Sequence, residues 1–287
     1  FANMGSIYLN NDRPEDDFKT LKYYRRAKEL SSSLAKSLQK PITIGRLIHH
    51  YYYSQAIKLA NNNEDLKSLN HFETALAHDY SVSKAHNAYA RQLLKMGILE
   101  GALREALEAL DMEPDSTENQ VLLGTIYSKL SYSPYWVVLH WEQALKKMDG
   151  EKHDSLKKIL IQVRNQLGLS DPKKSIVRSG EKDPIVSSFI SSISPMMEFS
   201  SDPVIPASLE NMSPKEINQY MVMLYQRLVL YPKVRTSAIH YQLGILYWKK
   251  ENRLSAAVHH LEKARNLGRP FPQLLELQEL HNVNLRF

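Results

Sequence analysis

The polar side chains best suited to chemistry form a short row within the first third of the chain. Lys84, Asn87, Arg91 and Lys95 are three or four residues apart, so a helix would place all four on one side. Ammonium, amide and guanidinium groups donate hydrogen bonds, and in a row they suit a carboxylate or the backbone of an extended peptide. The alternative is a solvated helix face, which is polar whatever its function. These four residues are called the polar stripe below.

No pattern in the sequence indicates catalysis. The chain has no Gly-rich phosphate loop, no Gly-x-Ser-x-Gly turn and no His-Glu-x-x-His helix. Two adjacent histidine pairs are present, His49–His50 and His259–His260, but neighbouring side chains on a helix point about 100° apart and cannot chelate one ion by themselves. His260 is expected to face a neighbouring helix and His259 the solvent. We therefore expect no enzyme, no metal site, no cofactor and no small-molecule substrate.

A spacing recurs along the chain. Ala75, Ala109 and Ala144 end similar stretches, 34 and then 35 residues apart, and a period near 34 indicates a helical repeat. Each stretch has a small residue, an aromatic or aliphatic residue three positions later, and a second helix with small residues about a dozen positions on. The matching positions are Ala56, Leu59, Ser68, Phe72 and Ala75; Ala90, Leu93, Ala102, Ala106, Ala109 and Pro114; Gly124, Tyr127, Val137, Trp141 and Ala144; Gly244, Tyr247, Ala257, Leu261 and Ala264; and, with an insertion, Gly5, Tyr8, Tyr24 and Ala27.

These positions resemble the signature of the tetratricopeptide repeat, over most of 1–150 and again over 213–268. The resemblance implies an all-α fold, a right-handed superhelix of antiparallel helix pairs whose first helices line a concave groove. It implies that the following residues lie on the groove and bind a peptide or partner: Tyr53, Lys84, Asn87, Arg91, Lys95, Lys129, Tyr241 and Trp248.

The family's clamp for the C-terminal carboxylate of chaperones is not expected here. That clamp uses Lys and Asn on one first helix, Asn on the next, and Lys and Arg on the third. At the corresponding positions only Asn87 fits that pattern; the residues present are Tyr53 and Ile57, Asn87 and Arg91, then Glu118 and Leu122.

Local signals predict where helices begin and end. Met96-Gly97 is expected to break one helix, Pro114 to end a unit, and 115–118 to start the next. Ser213-Pro214-Lys215-Glu216 predicts a capped helix start, and that helix should run to about Leu230. A last helix, from Gln273 to about His281, is expected to cap the chain.

Composition divides the chain into three predicted parts. Residues 170–208 hold eleven serines and five prolines without a sustained period, which is typical of a linker. We expect a helical array at 1–168, a Ser/Pro-rich linker or crossover at 169–210, and a second array at 211–287. Within the linker, Ile185, Phe189 and Ile193 are four apart and are predicted to fold back onto the helices; a disordered tether is the alternative.

Charge and residue usage limit partners and compartment. The net charge is +6 and the pI about 9.2, but no basic run is longer than a pair, so protein partners, including acidic ones, are expected rather than nucleic acid. The absence of cysteine excludes disulfides and thiolate metal sites. No stretch approaches the roughly 18 apolar residues of a membrane span. The chain begins at Phe1 inside a repeat, which suggests a truncated start; the localisation is open, with the cytoplasm favoured.

The predicted function is a non-enzymatic protein-interaction scaffold, which binds a peptide segment or partner subunit through the groove as part of a larger assembly. RNA binding is one alternative, because the chain is basic and bases stack on aromatic rings such as Tyr53, Tyr241 and Trp248. A regulatory domain of a longer multidomain protein is the other.

Overall fold

The computed structural model describes residues 42–130, 134–148, 150–166, 212–230, 236–269, 271 and 274–284. Within these ranges the regular structure is α-helical, without a strand, and none of the helices is long and apolar enough to cross a membrane. The described helices, numbered α1 to α11 in chain order, are Ile42–Asn61, Asp65–His78, Ser83–Lys95, Leu99–Met112, Thr117–Lys129, Pro134–Leu145, Glu151–Gln166, Pro214–Leu230, Thr236–Lys249, Leu254–Asn266 and Leu274–Asn284.

The predicted all-α fold of helix pairs is confirmed. Short turns join α1 to α2, α4 to α5 and α9 to α10, and each of these pairs packs side by side. The unit predicted around Gly5, Tyr8, Tyr24 and Ala27 lies outside the described residues. So does the apolar segment Ile185, Phe189 and Ile193 that was expected to fold back.

Helix ends lie where the local signals predicted them. Gly97 follows α3 with a φ of 77°, a left-handed conformation that glycine adopts without strain. Ser213 and Glu216 bond reciprocally at the start of α8, since the Ser213 backbone N–H donates to Glu216 Oε2 at 2.8 Å and the Glu216 N–H donates to Ser213 Oγ at 3.4 Å. The hydrogen bonds from the side chain and the backbone of Ser213 lower the pKa of the Glu216 carboxyl. This is the capping box that the sequence predicted.

Replacing Ser116 by alanine should destabilise the protein by about 1 kcal/mol. Ser116 is the N-cap of α5, and its side chain accepts a hydrogen bond from the Asn119 backbone N–H at 3.3 Å. Denaturant unfolding would measure the change. Ser128→Ala is the matched control on the same helix, because Ser128 Oγ only donates back to the Thr125 carbonyl near the exposed end. Equal losses in the two variants would contradict a capping role.

One compact unit contains the described residues up to Gln92 and those from Thr236 onward. Its helix pairs α1–α2 and α9–α10 meet where α10 packs on α2. Ser255 Oγ donates to the Leu76 carbonyl at 3.1 Å, and the hydroxyls of Tyr80 and Tyr247 lie 3.2 Å apart. Within the α1–α2 pair, the buried Ser68 hydroxyl donates to the Ala56 carbonyl at 2.8 Å. Polar contacts therefore join helices that are far apart in the sequence.

The other compact unit contains Leu93–Leu230. Helices α4 to α7 pack in chain order, and α8 packs on α4. Asn119 Nδ2 donates to the Ala109 carbonyl at 2.9 Å and so joins α5 to α4. From α8, the Tyr225 hydroxyl donates to the buried Glu108 carboxylate, and Gln226 Nε2 donates to the Tyr127 hydroxyl at 3.0 Å. This unit also buries Trp136 completely.

Small residues let paired helices approach closely at the repeat positions. Ala102, Ala106 and Ala109 are fully buried along α4. A Cβ atom on Gly124 would lie 2.2 Å from Trp141 Cδ1, and one on Gly244 would lie 2.6 Å from Leu261 Cγ. In these two repeats the small residue of the first helix therefore makes room for the large residue of the second, which is a physical basis for the spacing in the sequence.

Each compact unit contains helices from both sides of the predicted linker. Helices α9 to α11 share a unit with α1 and α2, whereas α8 shares one with α4 to α7. The proposed linker at 169–210 lies outside the described residues, so the division into arrays at 1–168 and 211–287 stays a prediction.

Candidate functional site

The polar stripe lies on the exposed side of α3. Lys84, Arg91 and Lys95 are exposed and Asn87 is half-buried, while Ala85, Ala90 and Leu93 of the same helix are buried. Arg91 Nε donates to Asn87 Oδ1 at 2.8 Å, so the amide orients the guanidinium along the helix. The first three stripe residues belong to the unit that ends at Gln92, and Lys95 lies beyond that boundary.

Hydrogen bonds from the opposite side of α3 hold this helix on α2. The Tyr89 hydroxyl donates to Glu73 Oε1 at 2.7 Å, and Gln92 Nε2 donates to Asp65 Oδ1 at 2.7 Å. The rings of Tyr89 and Phe72 stack with their centroids 5.7 Å apart. Lys84 and Arg91 are therefore presented by a helix whose rotation is fixed.

Tyr53 and Lys129 lie on helices other than α3, which carries the stripe. Tyr53 is half-buried on α1, where its ring lies 6.0 Å from His49 and 6.1 Å from Phe72, and burial raises the pKa of its hydroxyl. Lys129 is the exposed last residue of α5 in the second unit, where a cation is favoured by the helix dipole. Their predicted roles in binding stay predictions.

Tyr241 and Trp248 converge on an aromatic residue that the sequence analysis did not select. They are seven residues apart on α9, and both meet the ring of Phe271 nearly edge to face, at centroid distances of 5.8 Å and 6.1 Å. Arg269 lies over the Tyr241 ring and Lys249 over the Trp248 ring. Tyr241, Trp248, Lys249, Arg269 and Phe271 are called the aromatic clasp below.

The signal for the missing clasp residues was weak. Phe271 lies in a connection after α10, and no period links it to the face of α9. Arg269 belongs to a surface that carries many other cations. Only its position over an aromatic ring distinguishes it, and that position depends on tertiary packing.

A cluster of histidine and tyrosine rings fills the interior of the first unit. His260 is fully buried, as expected, and its Nδ1 lies within hydrogen-bond distance, 3.1 Å, of His240 Nδ1. His259, expected to face solvent, is instead half-buried, with its ring centroid 5.5 Å from that of Tyr80. The α2–α10 contact explains this burial, because it places Tyr80 against the His259 ring on α10.

The second unit buries one histidine between two aromatic rings. His140 stacks on Tyr127 at 5.5 Å and on Trp136 at 6.0 Å, and its Nδ1 donates to Gln120 Oε1 at 2.7 Å. Its Nε2 makes no hydrogen bond with the described residues. Desolvation lowers the pKa of His140 to about 3, so the ring is neutral at neutral pH.

Comparisons with known proteins find no matching protein-family model and no matching curated protein. Among solved structures, the chain is similar to the crystal structure of a tetratricopeptide repeat protein from Parabacteroides merdae. The identity is 14%, the TM-score is 0.41, and the match covers 97% of this chain and 99% of that chain. In its own helix pairs and buried small residues, the chain has a fold that resembles tetratricopeptide repeats.

Proposed function

We propose that the protein is a non-enzymatic interaction scaffold that binds an acidic segment of a partner protein through the polar stripe of α3. Arrays of helix pairs are typical of proteins that present an extended surface to a partner. Because folds of this kind carry many functions, the proposal rests on the stripe itself.

The observation that supports the proposal is a pair of exposed cations that form no ion pair with any acid of the described residues. Within the described residues, neither Lys84 nor Arg91 forms an ion pair. Two other exposed cations of the first unit, Arg46 and Lys67, do pair, with Asp79 and Glu64. Lys84 and the free edge of Arg91 are therefore available to a carboxylate from another molecule.

The rigidity of α3 adds to the argument. Its contacts with Glu73 and Asp65 orient the stripe before a partner arrives, so less freedom is lost on binding. The hydrogen bond from Arg91 to Asn87 also restricts the guanidinium, so less side-chain freedom is lost when a carboxylate binds.

The test is affinity capture of partners by the whole chain and by a Lys84→Ala/Arg91→Ala variant, with quantitative mass spectrometry of the proteins retained. We expect the variant to lose a specific partner by roughly tenfold or more, as removal of charge-assisted hydrogen bonds predicts. The matched control is Lys157→Ala/Lys158→Ala, which removes the same charge from the exposed face of α7.

The control decides how a loss is interpreted. A partner lost only from the α3 variant supports binding through the stripe. Equal losses in the two double variants would mean that total charge, not the stripe, determines binding. If the α3 variant retained every partner, the stripe would be a solvated helix face and not a binding site. Circular dichroism and thermal unfolding should show both variants folded, since all four side chains are exposed.

A further inference from the structure

The aromatic clasp is built from two segments that the fold of the first unit brings together. Tyr241 and Trp248 lie on one side of α9, and the chain returns to them after α10 through a turn in which Gly268 has a φ of 90°. Phe271 then places its ring at 78° to Tyr241 and 77° to Trp248. Three partly exposed rings thus hold one another in a defined arrangement.

Each outer ring carries a cation on its face. Arg269 Cζ lies 4.9 Å from the centroid of Tyr241, and Lys249 Nζ lies 3.6 Å from the centroid of Trp248. Both distances fall within the range of cation–π attraction. The rings therefore hold two positive charges at fixed places on the surface.

No carboxylate of the described residues pairs with either cation. Within the described residues, neither Arg269 nor Lys249 has an ion pair with Asp or Glu. Arg253 of the same unit shows the contrast, because its guanidinium lies near the Tyr247 ring and also 3.9 Å from Glu251. The clasp is thus a cationic site whose anionic partner is not supplied by the described chain.

The two cations occupy ring faces on which a stacking ligand would lie. Arg269 takes one face of Tyr241 and Lys249 takes one face of Trp248, while Phe271 meets both rings. A nucleic-acid base needs a free ring face, so single-stranded RNA suits this arrangement poorly. A carboxylate needs no free ring face, because a guanidinium that stacks on a ring still presents its N–H donors at its edge.

Two exposed leucines are close to Arg269 and Phe271 in the sequence. Leu267 precedes Arg269 in the same turn and is 51% exposed, and Leu275, the second residue of α11, is 68% exposed. Exposed leucines this close in the sequence to Arg269 and Phe271 suit a segment that carries both acidic and apolar side chains.

We propose that the aromatic clasp is a docking site for an acidic segment of another protein, in which glutamate or aspartate residues flank an apolar side chain. Arg269 and Lys249 bind the carboxylates, and the apolar side chain lies against Phe271 and the neighbouring leucines. The inference rests on the proposed scaffold function, but it assigns a second contact surface, separate in its residues from the polar stripe.

Fluorescence anisotropy of a fluorescein-labelled peptide of glutamate and serine with one central leucine tests the proposal on the whole chain. We expect an Arg269→Gln/Lys249→Gln variant to raise the dissociation constant by roughly tenfold or more, because two charge-assisted contacts are lost. Arg265→Gln is the control for the loss of one positive charge and is compared with the single variant Arg269→Gln. Arg265 is exposed on α10 and has no ring contact within the described residues. It should change the dissociation constant by less than about twofold.

Peptide variants separate the two kinds of contact. Replacing every glutamate by glutamine, or the leucine by serine, should weaken binding; unchanged affinity for either peptide would overturn the proposal. An effect of Arg265→Gln equal to that of Arg269→Gln would also overturn it. So would oligouridine that binds more tightly than the peptide and depends on Arg269.

The polar-stripe variant keeps the two proposals distinguishable. Lys84→Ala/Arg91→Ala should leave peptide binding at the clasp unchanged, even if partner capture is lost. Loss of capture with an unaffected, Arg269-dependent peptide supports both sites. If peptide binding does not depend on Arg269 and Lys249, only the clasp proposal is wrong. If partner capture does not depend on Lys84 and Arg91, only the stripe proposal is wrong.

Discussion

Gly124→Ala is expected to destabilise the second unit by about 3 kcal/mol, although alanine is ordinarily the better helix former. The added Cβ would lie 2.2 Å from both Cδ1 and Nε1 of Trp141, a ring that is 5% exposed and cannot move outward without uncovering α5. The Trp141 Nε1 hydrogen bond to the Val121 carbonyl, now 3.4 Å, would be lost with the displacement. Denaturant unfolding followed by tryptophan fluorescence measures the loss.

Gly101→Ala is the matched control for that substitution. Gly101 also lies in a helix, but its added Cβ would meet only two methyl groups, Ile98 Cγ2 at 3.3 Å and Leu93 Cδ1 at 3.5 Å, so a shift of a few tenths of an ångström would accommodate it. This variant should be neutral or more stable by up to about 1 kcal/mol. In a Trp141→Leu background, Gly124→Ala should cost much less, because the two positions are directly coupled. Equal stability of the Gly124→Ala and Gly101→Ala variants would refute the packing explanation.

The second large effect is a loss of stability in acid caused by His140. In the folded protein the pKa of His140 is about 3, whereas an unfolded histidine has a pKa of about 6.5. Above pH 6.5 both states are neutral and the histidine adds no pH dependence. Below it, the unfolded state binds a proton that the folded state does not, so the free energy of unfolding falls by about 1.4 kcal/mol per pH unit until pH 3.

We therefore expect His140 to account for a loss of about 2 to 3 kcal/mol between pH 6.5 and pH 4.5. His140→Phe should remove this part of the pH dependence. It keeps an aromatic ring between Tyr127 and Trp136, removes a buried nitrogen without a hydrogen bond, and leaves the half-buried Gln120 amide to water. Urea unfolding at a series of pH values measures the slope.

A buried residue without a titratable group provides the comparison. Leu139→Ala, on the same helix as His140, removes only apolar atoms and should lower the free energy of unfolding by the same amount at every pH. His49 also has a pKa that is lowered mainly by burial, so the first unit has a contribution of the same sign. If the His140→Phe variant kept the full acid sensitivity of the second unit, the assignment to His140 would be wrong.

The sequence by itself determined the elements and their pairing within a repeat. Gly124 with Trp141, and Gly244 with Leu261, occur at a spacing that a tight helix pair requires, because a small residue must lie opposite a large one. The starts of α5 and α8 also depend on local contacts, since the Ser116 and Ser213 side chains bond to backbone groups three residues away. Such contacts involve few residues close in the chain, so their pattern is visible without the fold.

Only the tertiary structure decided which helices meet across long separations and which surface residues come together. An apolar helix face can pack on many others, so periodicity does not say that α10 lies on α2 or that α8 lies on α4. Those choices depend on specific contacts such as Tyr80 with Tyr247 and Tyr225 with Glu108, between residues more than a hundred positions apart. The aromatic clasp exists for the same reason: Phe271 reaches α9 only because the turn after α10 returns there, and this path is set by packing rather than by any local pattern.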